Sequence, residues 1–312
     1  MSLALVTGGA GFIGSHIVRA LLAEGWQVRV LDDFSSGKRE NLAGLTPARL
    51  EVQEGDLRDP LALRAALRGV VVVFHEAAFV SVPASMEDPL TCHEINDVGT
   101  ARLLEAARQA GVARVVLASS AAVYGDSTAF PLREDQPPRP LSPYAATKAA
   151  NELYARLYTA AFDLPVTALR YFNVYGPRQR PDSPYAAAIP IFARRMLAGQ
   201  PPTIFGDGGQ RRDFVFVGDV AQANLRAAES EAAAGETINI CTGHEVTLLE
   251  LLATLQELIP DAPAPVFASP RPGDIYRSVG DPTKAARLLG FRPQTSLREG
   301  LAEVVAWMRT TA

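Results

Sequence analysis

In Leu3-Ala-Leu-Val-Thr7-Gly8-Gly-Ala-Gly11-Phe12-Ile13-Gly14 an apolar run meets a glycine loop. Leu3 to Thr7 reads as a buried strand, Gly8 to Gly14 as a loop, and Ile13 to Glu24 as a helix carrying Ile17, Ala20 and Leu21 at helical spacing before Gly25 stops it. The loop contains both G-x-x-G-x-x-G and G-x-G-x-x-G. Three glycines also build an ordinary tight turn. Here they follow a strand, open a helix and are answered by Asp32, 18 positions after Gly14, which is the setting a dinucleotide fingerprint requires. Gly8, Gly11 and Gly14 let the backbone approach a pyrophosphate, while the helix start at Phe12 and Ile13 supplies dipole and free N–H groups. Asp32 would bind the adenosine ribose hydroxyls and repel a 2′-phosphate, so NAD is expected rather than NADP.

The pattern continues outward. Val28 to Leu31 reads as a second strand, Leu50 to Gln53 as a third and Pro60 to Arg68 as a helix. Val70 to Phe74 is a continuous apolar run, Asn96 to Ala110 a helix ended by Gly111, and Arg114 to Ala118 a strand opening into Ser119-Ser120. Continuous apolar strands alternating with helices predict an α/β fold with a doubly wound parallel (Rossmann) sheet. Ligands bind beyond the carboxyl ends of such strands, where the glycine loop, Asp32 and the serine pair all fall. Asp56 and Leu57 follow the third strand; they either flank the adenine or serve as helix cap and core residue.

Past residue 130 the composition changes, with five prolines from Pro131 to Pro143, and then a helix is expected to about Phe162 and a strand over Val166 to Arg170. Further helices are expected near Ile189 to Leu197, Leu248 to Leu258 and Leu297 to Met308. The expected division is an NAD-binding domain over 1–170 plus about 213–239, and a smaller C-terminal α/β substrate domain over 171–212 and 240–312.

Composition narrows the function classes. The 312 residues are 48% hydrophobic, with 30 Lys and Arg against 34 Asp and Glu, a net charge of -4. There is no run of five like charges, which argues against nucleic acid and anionic membranes as partners. No apolar stretch approaches the ~20 residues of a membrane span, and because no basic n-region or cleavable h-region stands before the first apolar run, the mature chain is expected to start at residue 1. Cys92 and Cys241 are too few for a disulfide framework or a metal site. A cytoplasmic protein without a metal is expected.

Chemistry enters at Ser142-Pro-Tyr144-Ala-Ala-Thr-Lys148. On a helix, Tyr144 and Lys148 share a face, and an ammonium near the phenol lowers its pKa from about 10 toward use as a base. Alone, such a pair is more often a solvated surface. Ser120 ends a strand and Tyr144 lies 24 residues beyond it, so a hydroxyl and a phenol can converge on one group.

Together the glycine loop, Asp32, Ser120 and Tyr144-x-x-x-Lys148 resemble the extended short-chain dehydrogenase/reductase family over essentially the whole chain. Ser119-Ser120-Ala-Ala-Val-Tyr124-Gly125 is similar to the nucleotide-sugar 4-epimerases, the UDP-glucose and UDP-N-acetylglucosamine 4-epimerases. The 4,6-dehydratases carry Thr-Asp-Glu there, which this chain lacks. The resemblance implies NAD held by Gly8, Gly11, Phe12, Ile13, Gly14, Asp32, Asp56, Leu57, Asn96, Tyr144 and Lys148, and catalysis by Ser120, Tyr144 and Lys148. It implies that Asn173 and Gln179 meet the substrate, that Arg212 and Arg271 take its phosphates, that Asp274 takes the uridine ribose, and that Ser278 walls the sugar 2-substituent. A Tyr at the last position restricts the family's enzymes to glucose and galactose, whereas a residue as small as Ser278 admits N-acetyl. Val80, where glucose-type members often carry Lys, and Ala122, where some carry a hydroxyl, depart from the pattern.

The implied reaction is reversible oxidation at C4 of a UDP-hexose through a 4-keto sugar, with UDP-GlcNAc/UDP-GalNAc expected and UDP-Glc/UDP-Gal also open. Alternatives are a glucose-restricted epimerase, a nucleotide-sugar reductase or decarboxylase, or a silent NAD-binding scaffold, which the intact Ser120, Tyr144 and Lys148 disfavour. A homodimer through two helices of the nucleotide domain, and NAD retained on purification, are further family expectations.

Overall fold

A computed structural model describes residues 2–180, 187–270 and 275–311. Its centre is a seven-stranded parallel sheet in the order β11-β6-β5-β4-β1-β2-β3. The strands are β1 (Leu3–Thr7), β2 (Gln27–Asp32), β3 (Leu50–Glu54), β4 (Val72–His75), β5 (Arg114–Ser120), β6 (Val166–Tyr171) and, after an excursion, β11 (Thr237–Ile240). Every side chain of β4 and β6 is buried, as a strand covered on both faces requires. The order reverses between β1 and β4: β1 pairs with β2 on one side (Val6 opposite Val30) and with β4 on the other (Val6 opposite Phe74). The crevice at that switch point is where ligands of such sheets bind.

Two cores flank the sheet. On one face α1 (Phe12–Ala23) packs on β1 and β2 together with α8 (Val217–Glu229) and α10 (Thr283–Leu289); on the other lie α2 (Pro60–Ala66), α5 (Gly99–Gln109) and α6 (Pro143–Phe162). The catalytic-helix candidate α6 starts where Ser142 accepts the Ala145 N–H at 3.2 Å, with Pro143 at its first position, and ends at Asp163 with φ 53°. Its observed span reaches the expected Phe162.

One expected helix is broken up. Asn96 to Ala110 is preceded by α3 (Val82–Glu87) and α4 (Pro89–His93), and a π-helical turn over Glu94–Val98 leads into α5. Asp88 caps α4, accepting from the Thr91 N–H at 3.1 Å, so the helical path begins earlier than the apolar period suggests. The fourth strand also starts at Val72, not Val70, because Val70 closes the turn after α2, its N–H bonding the Leu67 carbonyl at 3.2 Å.

Beyond β6 short strands pair in small groups: β7 (Asn173–Tyr175) with β10 (Phe214–Phe216), β8 (Thr203–Phe205) with β13 (Val266–Ala268), and β9 (Arg211–Arg212) between β12 (Val246–Thr247) and β14 (Arg277–Ser278). With α7 (Ala188–Leu197), α9 (Leu248–Leu258) and α11 (Leu297–Thr311) they enclose a third core around Tyr175, Phe192, Phe216, Leu251 and Leu301. No helix of the described residues is long and apolar enough to cross a membrane.

Candidate active site

The glycine loop fits a dinucleotide by exclusion of side chains. A Cβ at Gly14 would lie 2.2 Å from the Gly8 carbonyl oxygen, and one at Gly8, where φ is 65°, would lie 2.6 Å from the Ala77 nitrogen. α1 is therefore pressed against the loop, and Gly11 caps it without a side-chain hydrogen bond, leaving first-turn N–H groups aimed at an anion. The Phe12 and Ile13 side chains turn instead to the third core. Buried Asp32 accepts from the Ala10 N–H and the Phe34 N–H, each at 2.9 Å, and burial still raises its pKa. Its carboxylate is fixed beside the loop with lone pairs left over, which suits a ribose diol.

Three other cofactor candidates carry structural duties. Asp56 pairs with Arg58 at 2.6 Å, which holds its carboxyl below the usual range; Asp59, not Asp56, caps α2. Leu57 is buried and packs beside Gly99. Asn96, 1% exposed, accepts from the Phe79 N–H at 2.7 Å and donates to the Phe79 carbonyl and to Thr147 Oγ1, both at 3.1 Å. It staples the segment after β4 to α6.

At the carboxyl end of β5, Ser120 Oγ accepts from the Ala122 N–H at 3.1 Å and stands near enough to the Tyr144 phenol to favour its ionised form. The Tyr144 backbone N–H is taken by Ser85 Oγ at 3.2 Å. Lys148 is 4% exposed and donates to the Ala118 carbonyl at 2.8 Å, its Nζ 5.9 Å from the centre of the Tyr144 ring. Burial works against the expected lowering of the phenol. It pushes Tyr144 up to about 12, opposed by Ser120, and Lys148 is itself drawn down to about 8 by burial. At both groups desolvation is the largest cause of the shift.

A buried network that sequence reasoning missed fastens the helix that carries the pair. Ser119 Oγ donates to Glu152 Oε1 at 2.5 Å, Glu152 takes two bonds of 2.7 Å from Arg170, and the Arg170 guanidinium lies 4.7 Å above the centre of the Tyr124 ring. Tyr144, Lys148 and Glu152 recur every four residues, so this helical stripe was available as a signal. His75, which burial pushes down to about 3 and so keeps neutral, bridges Thr7 and Thr100 at 2.8 and 2.9 Å.

The substrate candidates separate into those brought together and those outside the described residues. Asn173, Gln179 and Arg212 line one cavity of about 450 Å³, with Phe214 and Arg195. Asn173 Nδ2 donates to the Asp213 carbonyl at 3.0 Å and Gln179 Nε2 to the Val174 carbonyl at 3.1 Å. Ser278 is half-buried and stands opposite Arg212 in the β14–β9 pairing. Asp213 is fully buried and accepts from Thr242, Gly243 and Gly280, while Asp207 accepts from Tyr276 and Gly209. Arg271 and Asp274 lie outside the described residues.

Comparison with known proteins agrees with this geometry. Residues 4–241 match the NAD dependent epimerase/dehydratase family. A UDP-glucose 4-epimerase of Mycolicibacterium smegmatis is 44% identical, covering 98% of each chain. Thermus thermophilus UDP-glucose 4-epimerase, solved in complex with NAD, superposes with TM-score 0.89 at 43% identity, over 99% of this chain and 100% of that one. The UDP-N-acetylglucosamine 4-epimerase of Methanobrevibacter ruminantium, solved with UDP-N-acetylmuramic acid, gives TM-score 0.96 at 39% identity, over 100% and 99%. With the glycine cradle, the fixed Asp32 and the Ser120–Tyr144–Lys148 cluster on one sheet edge, this chain belongs to the NAD dependent epimerase/dehydratase family.

Proposed function

We propose that the protein is an NAD-dependent isomerase that inverts C4 of a UDP-hexose, with UDP-GlcNAc and UDP-GalNAc as its pair and UDP-glucose and UDP-galactose also accepted. The observation that carries the reading is the meeting of Ser120 and Tyr144 at the end of β5, with Lys148 buried one helical turn away. The glycine loop and Asp32 would hold NAD, which when bound takes the C4 hydride, returns it and adds positive charge to the site. Tyr144 removes the proton of the 4-hydroxyl and later gives it back, while Ser120 hydrogen-bonds the same oxygen and relays the proton. Lys148 stabilises the phenolate. The 4-keto sugar turns about its diphosphate while Asn173, Arg212, Arg271 and Asp274 keep the nucleotide, and net redox is zero.

Small Ser278 beside Arg212 supports acceptance of an N-acetyl group. The relatives reported above include enzymes named for glucose and for N-acetylglucosamine, which supports the broader substrate range. We read the chain as two units, 1–170 with about 213–239 and 171–212 with 240–312, acting as a cytoplasmic homodimer.

Proton NMR of UDP-GlcNAc and of UDP-glucose with the purified protein and no added cofactor tests the proposal. The galacto epimer should appear from both, with NAD retained on the protein. Turnover of UDP-glucose alone would establish the glucose-restricted alternative. Loss of the carboxylate carbon from a UDP-uronate, or a requirement for stoichiometric NADH, would establish a decarboxylase or reductase instead.

A further inference from the structure

Asp213 is the one residue between β9 and β10, and its backbone is tied on both sides to residues assigned above to the substrate. On the β9 side Arg212 stands opposite Ser278, and on the β10 side Phe214 stands opposite Asn173. The Asp213 N–H donates to the Ser278 carbonyl at 2.9 Å, while the Asp213 carbonyl accepts both the Asn173 N–H and Asn173 Nδ2 at 3.0 Å. Arg212 and Phe214 line the cavity of about 450 Å³, and Asp213 between them does not, as alternation along an extended chain requires. Its side chain therefore works from behind the cavity wall.

There Asp213 is fully buried and has no cationic partner among the described residues. Its Oδ1 accepts from the Thr242 N–H at 2.8 Å and from the Thr242 hydroxyl at 2.7 Å, and its Oδ2 from the Gly243 N–H at 2.9 Å and the Gly280 N–H at 3.3 Å. Four donors on two oxygens is the pattern of a carboxylate. A buried carboxylate without a cation is costly to keep. This one gathers the loop after β11, where the Thr242 hydroxyl also takes the His244 N–H at 3.1 Å, and the turn two residues past Ser278. A Cβ at Gly280 would lie 2.5 Å from the Phe172 ring and 2.6 Å from Cys241 Sγ, so the chain beyond Ser278 is closely packed as well as hydrogen-bonded.

We propose that Asp213 is a positioning residue for substrate choice, its carboxylate drawing Thr242, Gly243 and Gly280 together so that Ser278 keeps a fixed place relative to Asn173 and Arg212. In this role it touches no substrate, and the proposal rests on the assignment of the cavity to a UDP-sugar made above. An N-acetyl group would meet the Ser278 wall, whereas the 2-hydroxyl of glucose stops short of it. Loosening the wall therefore reaches one sugar more than the other. Asparagine cannot replace the carboxylate here: an amide has one acceptor oxygen, and either orientation turns its NH2 against backbone N–H groups, of Thr242 or of Gly243 and Gly280.

Two readouts on the full-length protein as purified test this. By hydrogen exchange and mass spectrometry, the peptides that hold Thr242 with Gly243 and Gly280 should exchange about tenfold faster in Asp213→Asn than in the wild type, with those of β1, β4 and β5 unchanged. In steady-state assays, kcat/KM should fall about tenfold for UDP-GlcNAc and less than about threefold for UDP-glucose. Thr242→Val leaves the carboxylate but removes one of its donors; it should move both readouts the same way by less, which covers an Asn variant that does not fold. Thr242→Ser keeps the hydroxyl and should match the wild type. Unchanged exchange in the two peptides overturns the proposal. So does faster exchange with equal losses on both sugars, the result for a merely structural Asp213. Exchange does not depend on turnover: if the wild type converts neither sugar while the Asn variant opens both peptides, the functional reading is refuted and the clamp on the two loops stands.

Discussion

Tyr144 and Lys148 are one helical turn apart, yet the ammonium is turned to the Ala118 carbonyl and lies 5.9 Å from the phenol ring centre. Proximity in sequence therefore gives a shared face, with the hydrogen bond of the ammonium made to a backbone carbonyl. The proposed choice of substrate rests on a different residue. Ser278 stands opposite Arg212, and its carbonyl accepts the Asp213 N–H at 2.9 Å, so the backbone at this position is fixed and only the side chain decides the free space. Ser278→Tyr should lower kcat/KM for UDP-GlcNAc by on the order of a hundredfold through exclusion of the N-acetyl group, with UDP-glucose changed less than about threefold. Parallel steady-state assays of the two sugars check this. Equal losses would mean that the tyrosine disturbs the nucleotide clamp and that Ser278 is not the gate.

At the scale of the element, α6 is held to β5 and β6 by Glu152, which joins Ser119 and Arg170 in the buried interior. Glu152→Ala leaves the Arg170 guanidinium buried without its partner and should cost about 3–5 kcal/mol in urea unfolding, because an uncompensated buried cation is worse than none. Adding Arg170→Met should recover most of that loss. If the single variant unfolds at the wild-type urea concentration, the pair is not what fastens the helix. This element also shows what was readable beforehand. The glycine fingerprint and the continuous apolar strands are local signals, and they gave the parallel sheet and the loop after β1, while the end of α6 near Phe162 was also expected. The stripe Tyr144-Lys148-Glu152 was equally local and pointed to a third anchor. The place of Asp213 was not readable, because Thr242 and Gly280, which its carboxylate holds, are 29 and 67 residues away. The π-helical turn was hidden for a similar reason: Asn96 is fixed by backbone groups of Phe79 and by Thr147, contacts that apolar periodicity does not record. The two-residue strands β9, β12 and β14 are too short to show any period, so Arg212 and Ser278 became neighbours only once the chain was folded.

Over the whole molecule, the outward side of α6 is the surface that asks for a partner. Its inner stripe is buried, but Leu153 is 67% exposed and Leu157 48%, one helical turn apart and continued by Ala146, Ala150 and Ala161. Beside it α2, α5 and α6 border a cavity of about 800 Å³ lined by Leu63, Arg102, Glu105 and Tyr154. An apolar helix face next to a concave surface with a charged rim suits an isologous contact between copies, in which α6 of one protomer packs on the same helix of its partner. A stable contact of this kind covers roughly 800 Å² per protomer, an area that two helices can supply. Light scattering coupled to size exclusion should give a dimer for the wild type and a monomer for Leu153→Glu/Leu157→Glu, since two carboxylates would be desolvated in the contact. The other face of α6 carries Tyr144 and Lys148, so the monomer should also lose turnover, with the loss appearing in kcat as the helix loses support. A wild type that elutes as a monomer at micromolar concentration, or a double Glu variant that remains dimeric, would remove α6 from the interface.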